Sequence, residues 1–260
     1  MKVLLNLFAP ALVAGLVAVA CQTVPMTGRS QLQLISEQEE VAMGLTSFQE
    51  VLHKEKVSRD PRENEWVSRV GTRIAAATGK TDYKWEFRVI DDDKQVNAFC
   101  LPGGKVAVYT GILPIARDDA GLAVIIGHEV AHAIARHGGE RVSQQLLADG
   151  ATAAAVIALG GSDPNRANLY AGLLGMGASV GVLLPYSRLQ ESEADRLGMI
   201  YMAKAGYDPR AARDLWLRMA EAGKGKGKPL EILSTHPSDA TRIRQIEDRV
   251  PEAMQYYRQR

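Results

Sequence analysis

The spacing of apolar residues changes several times along the chain, and each change of period predicts an element. Ser36 with Glu39 forms a capping box that starts a helix reaching about Glu55. Asp60-Pro61 starts a second helix ending near Thr78-Gly79, since proline suits the first helical turn and glycine the left-handed cap. From Tyr83 to Ile90 the period falls to two, with Tyr83, Trp85, Phe87 and Val89 on one face of a strand. A turn at Pro102-Gly103-Gly104 leads into a second strand, Lys105 to Tyr109, after which the pattern is helical to the end. One helical stretch runs from Asp118 through Leu122, Ile125 and Ile126, and another carries Leu197, Ile200 and Tyr201. The fold class this predicts is α+β, predominantly helical around a small sheet.

Two segments depart from these patterns. Residues 148–184 are rich in alanine and glycine and broken by Gly160-Gly161-Ser162-Asp163-Pro164. Their apolar runs fall short of the about 20 residues a spanning helix needs, which favours a packed helical hairpin over a membrane segment. A lid or membrane-contacting role for the hairpin stays open. Gly223 to Pro229 alternates lysine with glycine and reads as a flexible loop.

The first twenty residues, a lysine followed by an apolar run from Val3 to Ala20, read as an export signal rather than part of the fold. Ala18, Val19 and Ala20 before Cys21 resemble a bacterial lipoprotein cleavage site, with Cys21 as the lipidated first residue and a lipid anchor at the membrane. Alanine stands where leucine is usual, so an ordinary signal peptide or an uncleaved anchor remain alternatives. Gln22 does not look like the aspartate that retains lipoproteins at the inner membrane, which makes the outer membrane the expected address. Residues 22–260 are then enough for one domain with a sizeable core. A net charge of +1 without a basic tract argues against nucleic acid as a partner. The two cysteines give no disulfide framework, and Cys100 is expected to pack as a small apolar residue.

The helix after Asp118 ends in His128-Glu129-Val130-Ala131-His132. At about 100° per residue the two histidines stand only about 40° apart on one face, so both imidazoles can reach one ion at about 2 Å. Glu129 sits at the edge of that face, where it can reach a water beside the metal without binding the metal. A third ligand is offered by Glu191-Ser192-Glu193-Ala194-Asp195. Glu191 and Asp195 share a helical face, while Glu193 points about 160–200° away and is expected to meet solvent. Glu191 is therefore assigned to zinc, and Asp195 to the free N–H of a ligating histidine. A third histidine six positions beyond His132 is excluded, because Gly138 stands there. His137 is off the metal-facing stripe and reads as a helix C-terminal residue before Gly138 and Gly139 end the helix. His53, among Lys54, Glu55 and Lys56, reads as a solvated surface residue.

Several further motifs follow in one order: Asn97-Ala98-Phe99 with Leu101-Pro102-Gly103-Gly104, Ala135-Arg136-His137, Ser187-Arg188, Ala205-Gly206-Tyr207-Asp208-Pro209 and Thr235-His236-Pro237. With the two metal motifs they make the chain resemble the HtpX and BepA/LoiP family of zinc metallopeptidases, to which the CAAX prenyl proteases also belong, from about Gly28 to Val250. The resemblance implies a zincin-like gluzincin fold with one Zn2+ on His128, His132 and Glu191, and with Glu129 as base. It places His236 near the metal, as oxyanion stabiliser or fourth zinc ligand; a plain structural role before a helix starting near Pro237 and Ser238 is the alternative. Thermolysin-like peptidases carry a similar Asn-Ala-aromatic element, and by that likeness Asn97 would hydrogen-bond substrate backbone while Ala98 leaves room for it. The alternative for Asn97 is an ordinary loop cap.

The expected reaction is peptide-bond hydrolysis by a zinc endopeptidase. The resemblance suggests quality control in the cell envelope, on the periplasmic side, with unfolded or misfolded polypeptides as substrates and outer-membrane assembly components as partners. A latched, chaperone-like assembly factor with little proteolysis is the alternative. A purely structural zinc site is disfavoured, because a glutamate beside an open three-ligand site has no structural purpose.

Overall fold

Capping chemistry sets the helix boundaries in the computed structural model, which describes residues 21–146, 187–224, 230–236 and 240–258. The expected leader, the 148–184 hairpin, residues 225–229 of the loop, and Pro237 with Ser238 lie outside the described residues. Helix α1 (Glu37–Lys54) begins at Ser36, whose Oγ accepts the Glu39 N–H at 3.2 Å while Glu39 Oε2 accepts the Ser36 N–H at 2.8 Å. Helix α2 (Pro61–Thr78) follows Asp60, which accepts the Arg62 N–H, and stops at Gly79 with φ 73°. Its Val67, Val70 and Ile74 recur on one buried face.

Two strands precede α1: β1 (Cys21–Thr23) and β2 (Ser30–Leu32) pair antiparallel. A second sheet holds β3 (Glu86–Ile90), β4 (Ala98–Leu101) and β5 (Lys105–Tyr109) in the order β3-β5-β4. Strand β3 runs parallel to β5, with Val89 opposite Val108, and β4 antiparallel, with Ala98 opposite Val108. The ladder starts at Glu86 rather than Tyr83, yet the alternating face persists. Tyr83 meets Trp85 at a centroid distance of 5.6 Å, and Trp85 stacks on Phe87 at 6.3 Å.

A 3-10 turn (Thr110–Ile112) and α3 (Leu113–Ala116) lead to α4 (Asp119–Ile134), capped by Asp118, which accepts the Gly121 N–H at 2.8 Å. Every residue of α4 from Gly121 to Ile134 is buried, which marks a helix enclosed on all sides. Removing Leu122 and Ile126 from water stabilises the fold by about 1.5–3 kcal/mol each. The helix does not run on to Gly138-Gly139 as expected. It ends at Ile134, Arg136 takes a left-handed φ of 57°, and helix α5 resumes over residues 137–146.

Among the described residues the remaining helices are α6 (Arg188–Lys204), α7 (Ala211–Gly223), α8 (Glu231–Thr235) and α9 (Ala240–Met254). Gly223 is still helical, so the loop begins later than its composition implies. Helices α4 and α6 cross at two glycines: a Cβ on Gly198 would lie 2.9 Å from Gly127 C and from His128 N. That backbone contact brings the histidine helix and the Glu191 helix close enough to share a site. Among the described residues no helix is long and apolar enough to cross a membrane.

Candidate metal centre

Three elements converge on one buried cluster. Helix α4 contributes His128, Glu129 and His132, α6 contributes Glu191 and Asp195, and the residue after α8 is His236. All six side chains are almost fully buried. One ligand atom each from His128, His132, Glu191 and His236 lie within 4.8 Å of one another. His128 Nε2 stands 3.1 Å from His132 Nε2, 3.2 Å from His236 Nδ1 and 3.5 Å from Glu191 Oε2, and His132 Nε2 stands 3.4 Å from Glu191 Oε1. A tetrahedral ion with bonds of about 2.1 Å has donor–donor edges of about 3.4 Å. The four distances above, 3.1–3.5 Å, are close to that size, while His236 Nδ1 stands nearer to Glu191 Oε1, at 2.7 Å. Glu129 Oε1 is buried without a hydrogen-bond partner among the described residues, 3.6 Å from His236 Nε2, as suits a base that faces a reacting water.

The surrounding groups orient these donors. His128 Nδ1 lies 3.0 Å from Asp195 Oδ1, in ion-pair contact but off the line of a straight N–H bond. The buried guanidinium of Arg242, on α9, donates to both oxygens of Asp195 at 2.8 Å and contacts Glu191 Oε2 at 2.7 Å. Trp216 of α7 lies under that guanidinium at 3.6 Å and meets the His128 ring edge-on at 5.6 Å. Neither Arg242 nor Trp216 was expected at the site. The signal for Arg242 is its place on the buried stripe of α9 with Ile246 and Ala253, where an arginine needs a partner.

Two expectations are overturned. Glu193 does not face solvent: it is 6 % exposed, because the segment before α1 covers that side of α6 and brings Arg29 to 2.7 Å. His137 does not end a helix. It opens α5, fully buried, with Nδ1 2.9 Å from His132 Nδ1 and Nε2 3.0 Å from Glu193 Oε2. The turn at Arg136 swings it back toward the metal-facing helix.

The sequence profile of Peptidase family M48 matches residues 61–250, the span that holds this cluster. The chain belongs to this family. It is 39% identical over 233 residues to the mitochondrial metalloendopeptidase OMA1 of Schizosaccharomyces pombe, across 88% of this chain and 66% of that protein. To human metalloendopeptidase OMA1 it is 30% identical over 241 residues, across 88% of this chain and 46% of the relative. To the beta-barrel assembly-enhancing protease of Escherichia coli (strain K12) it is 24% identical over 242 residues, across 91% and 49%. The chain thus spans 46% to 66% of the length of these relatives. As an M48 chain it has the zincin-like, mostly helical fold that the motifs implied, and a buried His–His–Glu–His group suited to the single zinc ion of this metallopeptidase family.

The electrostatics of the M48 site also suit a cation. Burial disfavours the charged form of His128, but Asp195 and Glu191 outweigh it and raise its pKa to about 9. Burial drives His132 well below its ordinary value. Glu191 is held well below the usual carboxylate range against its burial, first by His236 and then by Arg242. Burial raises Glu129. Among the described residues the carboxylates of Glu129, Glu191 and Asp195 outnumber the guanidinium of Arg242, an acidic balance that favours a bound cation.

Asn97 immediately precedes β4, an edge strand of its sheet. It is 3 % exposed, and its Oδ1 accepts the Ala98 N–H at 2.9 Å. The carbonyl of its neighbour Val96 accepts the Ile232 N–H at 3.1 Å, which ties the helix before His236 to the entrance of β4. Cys100 is buried in the core and Cys21 is exposed, and neither is in a disulfide. His53 is exposed on α1.

Proposed function

We propose that the protein is a zinc-dependent endopeptidase acting on unfolded or misassembled polypeptides of the cell envelope. One observation carries the reading: a buried donor set suited to one ion lies beside a buried glutamate oxygen that has no hydrogen-bond partner among the described residues. His128, His132 and Glu191 would hold the ion, with His236 beside them. Bound zinc supplies a Lewis acid that lowers the pKa of water toward about 7 and polarises the scissile carbonyl. Glu129 takes the proton from the attacking water and delivers it to the leaving amine. Burial raises its proton affinity and so suits it to both transfers. Asp195 restrains His128, and His236 would donate to the oxyanion. Edge strand β4 receives an extended peptide, with Asn97 as backbone donor and Ala98 leaving room for it.

Residues 1–21 and the name of one relative support a reading of the location and the substrates. Residues 1–20 serve as an export leader, and the exposed Cys21 carries the lipid that anchors the protein on the periplasmic side of the outer membrane. The beta-barrel assembly-enhancing relative supports misassembled outer-membrane proteins as substrates and their assembly components as partners. Metabolic labelling with a fatty acid tests the anchor; an unlabelled mature protein with residue 21 in place would remove it.

A second reading, a latched chaperone-like assembly factor, is favoured by one contact: His236 Nδ1 lies 2.7 Å from Glu191 Oε1 and closes the donor set. Cleavage of unfolded casein by the full chain separates the readings. The endopeptidase loses activity when zinc is chelated and regains it with one equivalent of zinc. Cleavage that persists in fully zinc-free protein contradicts the metallopeptidase. No cleavage by the zinc-loaded parent, but cleavage by His236→Ala, selects the latched form.

A further inference from the structure

The turn and hairpin formed by residues 21–34 carry side chains that the peptide-cleaving reading leaves without a role. Arg29 Nε donates to Glu193 Oε2 at 2.7 Å, while Nη1 and Nη2 grip Glu140 Oε1 and Oε2 at 2.8 and 2.9 Å. Thr27 Oγ1 donates to the other oxygen of Glu193. From Glu193 the contacts run inward, through His137 Nε2 at 3.0 Å and from His137 Nδ1 to His132 Nδ1 at 2.9 Å.

This chain of contacts favours one order of protons. A carboxylate that already receives hydrogens from Arg29 and Thr27 is an acceptor, so His137 carries its proton on Nε2. Its Nδ1 then offers a lone pair, and His132 must carry its own proton on Nδ1 to complete the bond. His132 Nε2 is thereby left as a lone pair, and this is the nitrogen that stands 3.1 Å from His128 Nε2 and 3.4 Å from Glu191 Oε1. With the order reversed, an N–H would point into the donor set.

We infer that Arg29 and Thr27 are positioning residues of the metal site, which act through Glu193 and His137 to fix the tautomer in which His132 offers Nε2 to a divalent cation. The inference rests on the zinc reading above. The two imidazoles of α4 are thus oriented differently: His128 directly by Asp195 of α6, His132 by a relay that ends on the surface hairpin. Arg29 and Thr27 both precede residues 61–250, which the family profile matches.

The test uses the full chain and two readouts that need no turnover: zinc affinity by chelator competition, and the visible spectrum of the cobalt-substituted protein, which reports ligand geometry. His137→Phe should weaken zinc binding by about 10–100-fold and shift the cobalt spectrum. Arg29→Met should do the same in smaller measure, up to about tenfold, and Arg29→Lys, which keeps a cationic donor for Glu193, should restore most of the loss. Gln33→Ala is the control. It loosens the segment by removing the bond from Gln33 Nε2 to the Arg136 carbonyl at 3.0 Å without touching Glu193, and should keep the parental affinity and spectrum. If Arg29→Met only lowers the melting temperature, as Gln33→Ala does, with parental zinc affinity and spectrum, the relay is overturned while the peptidase stands. A parent that binds no zinc overturns both. Should His137→Phe fail to fold, Arg29→Met decides, since its side chain is only partly buried.

Discussion

The helix crossing at Gly127 and Gly198 is a direct way to move one half of the metal site against the other. In Gly198→Ala the new Cβ would meet Gly127 C and His128 N at 2.9 Å, backbone atoms that cannot rotate aside. Comfortable carbon contacts begin at about 3.5 Å, so α6 must retreat from α4 by roughly half an ångström. Such overpacking costs about 1–3 kcal/mol, and the better helix propensity of alanine returns about 1 kcal/mol, leaving a net loss of up to about 2 kcal/mol. At about 2–4 °C per kcal/mol for a chain of this size, the melting temperature should fall by several degrees. The effect on metal should be larger in proportion. Zinc sites tolerate about 0.2 Å in donor position, and Glu191 rides on the displaced helix, so zinc affinity should fall about 10–100-fold. The assay is chelator competition at 25 °C on protein shown to be folded by circular dichroism. Gly223→Ala serves as the reference, since among the described residues its Cβ would meet the flexible end of Leu233 at 3.2 Å and Leu230 Cγ at 3.9 Å. Parental zinc affinity and melting temperature in Gly198→Ala would refute the idea that this crossing sets the donor spacing.

Two further outcomes follow from the buried charges. Arg242→Met strips Asp195 and Glu191 of a guanidinium they share in the interior, and breaking such a pair costs about 3–5 kcal/mol. The loss should be largest without zinc and smaller with it, as denaturant titrations of both forms would show; equal stability of variant and parent would contradict the account. Burial raises Glu40 to about 7 from 4.5, despite its bond to Arg136. A raised acid favours the fold fully below pH 4.5 and loses that contribution as pH climbs through about 7, a change of about 3 kcal/mol. Glu40→Gln cannot ionise, so its stability relative to the parent should rise across that window, and an unchanged difference in denaturation free energy would count against it.

The legible parts of the sequence were those in which a helix reports on itself. Ser36 and Glu39, Asp60 with Pro61, and Asp118 announce helix starts through local bonds, and the i, i+4 pairs His128/His132 and Glu191/Asp195 place their side chains by helical geometry alone. Glu193 and His137 were misplaced because periodicity says which way a residue points but not what lies there. The hairpin segment that covers Glu193 is polar, through Thr27, Arg29 and Gln31, and leaves no apolar alternation to detect. His137 depended on a left-handed turn at Arg136, a residue type that gives no warning of one. Arg242 was hidden for the opposite reason: it sits on an apolar stripe, and only the facing carboxylates of another helix explain it. Asn97 lies at the mouth of an edge strand, and its bond to Ala98 arises from a side-chain conformation that no spacing encodes.

The most direct test of the central claim compares the parent with Glu129→Gln for bound zinc and for cleavage of unfolded casein. Glu129 is outside the donor group of His128, His132, Glu191 and His236, so both proteins should hold one zinc per chain while only the parent cleaves. A Glu129→Gln protein that binds zinc and cleaves at the parental rate would contradict the assignment of Glu129 as the base.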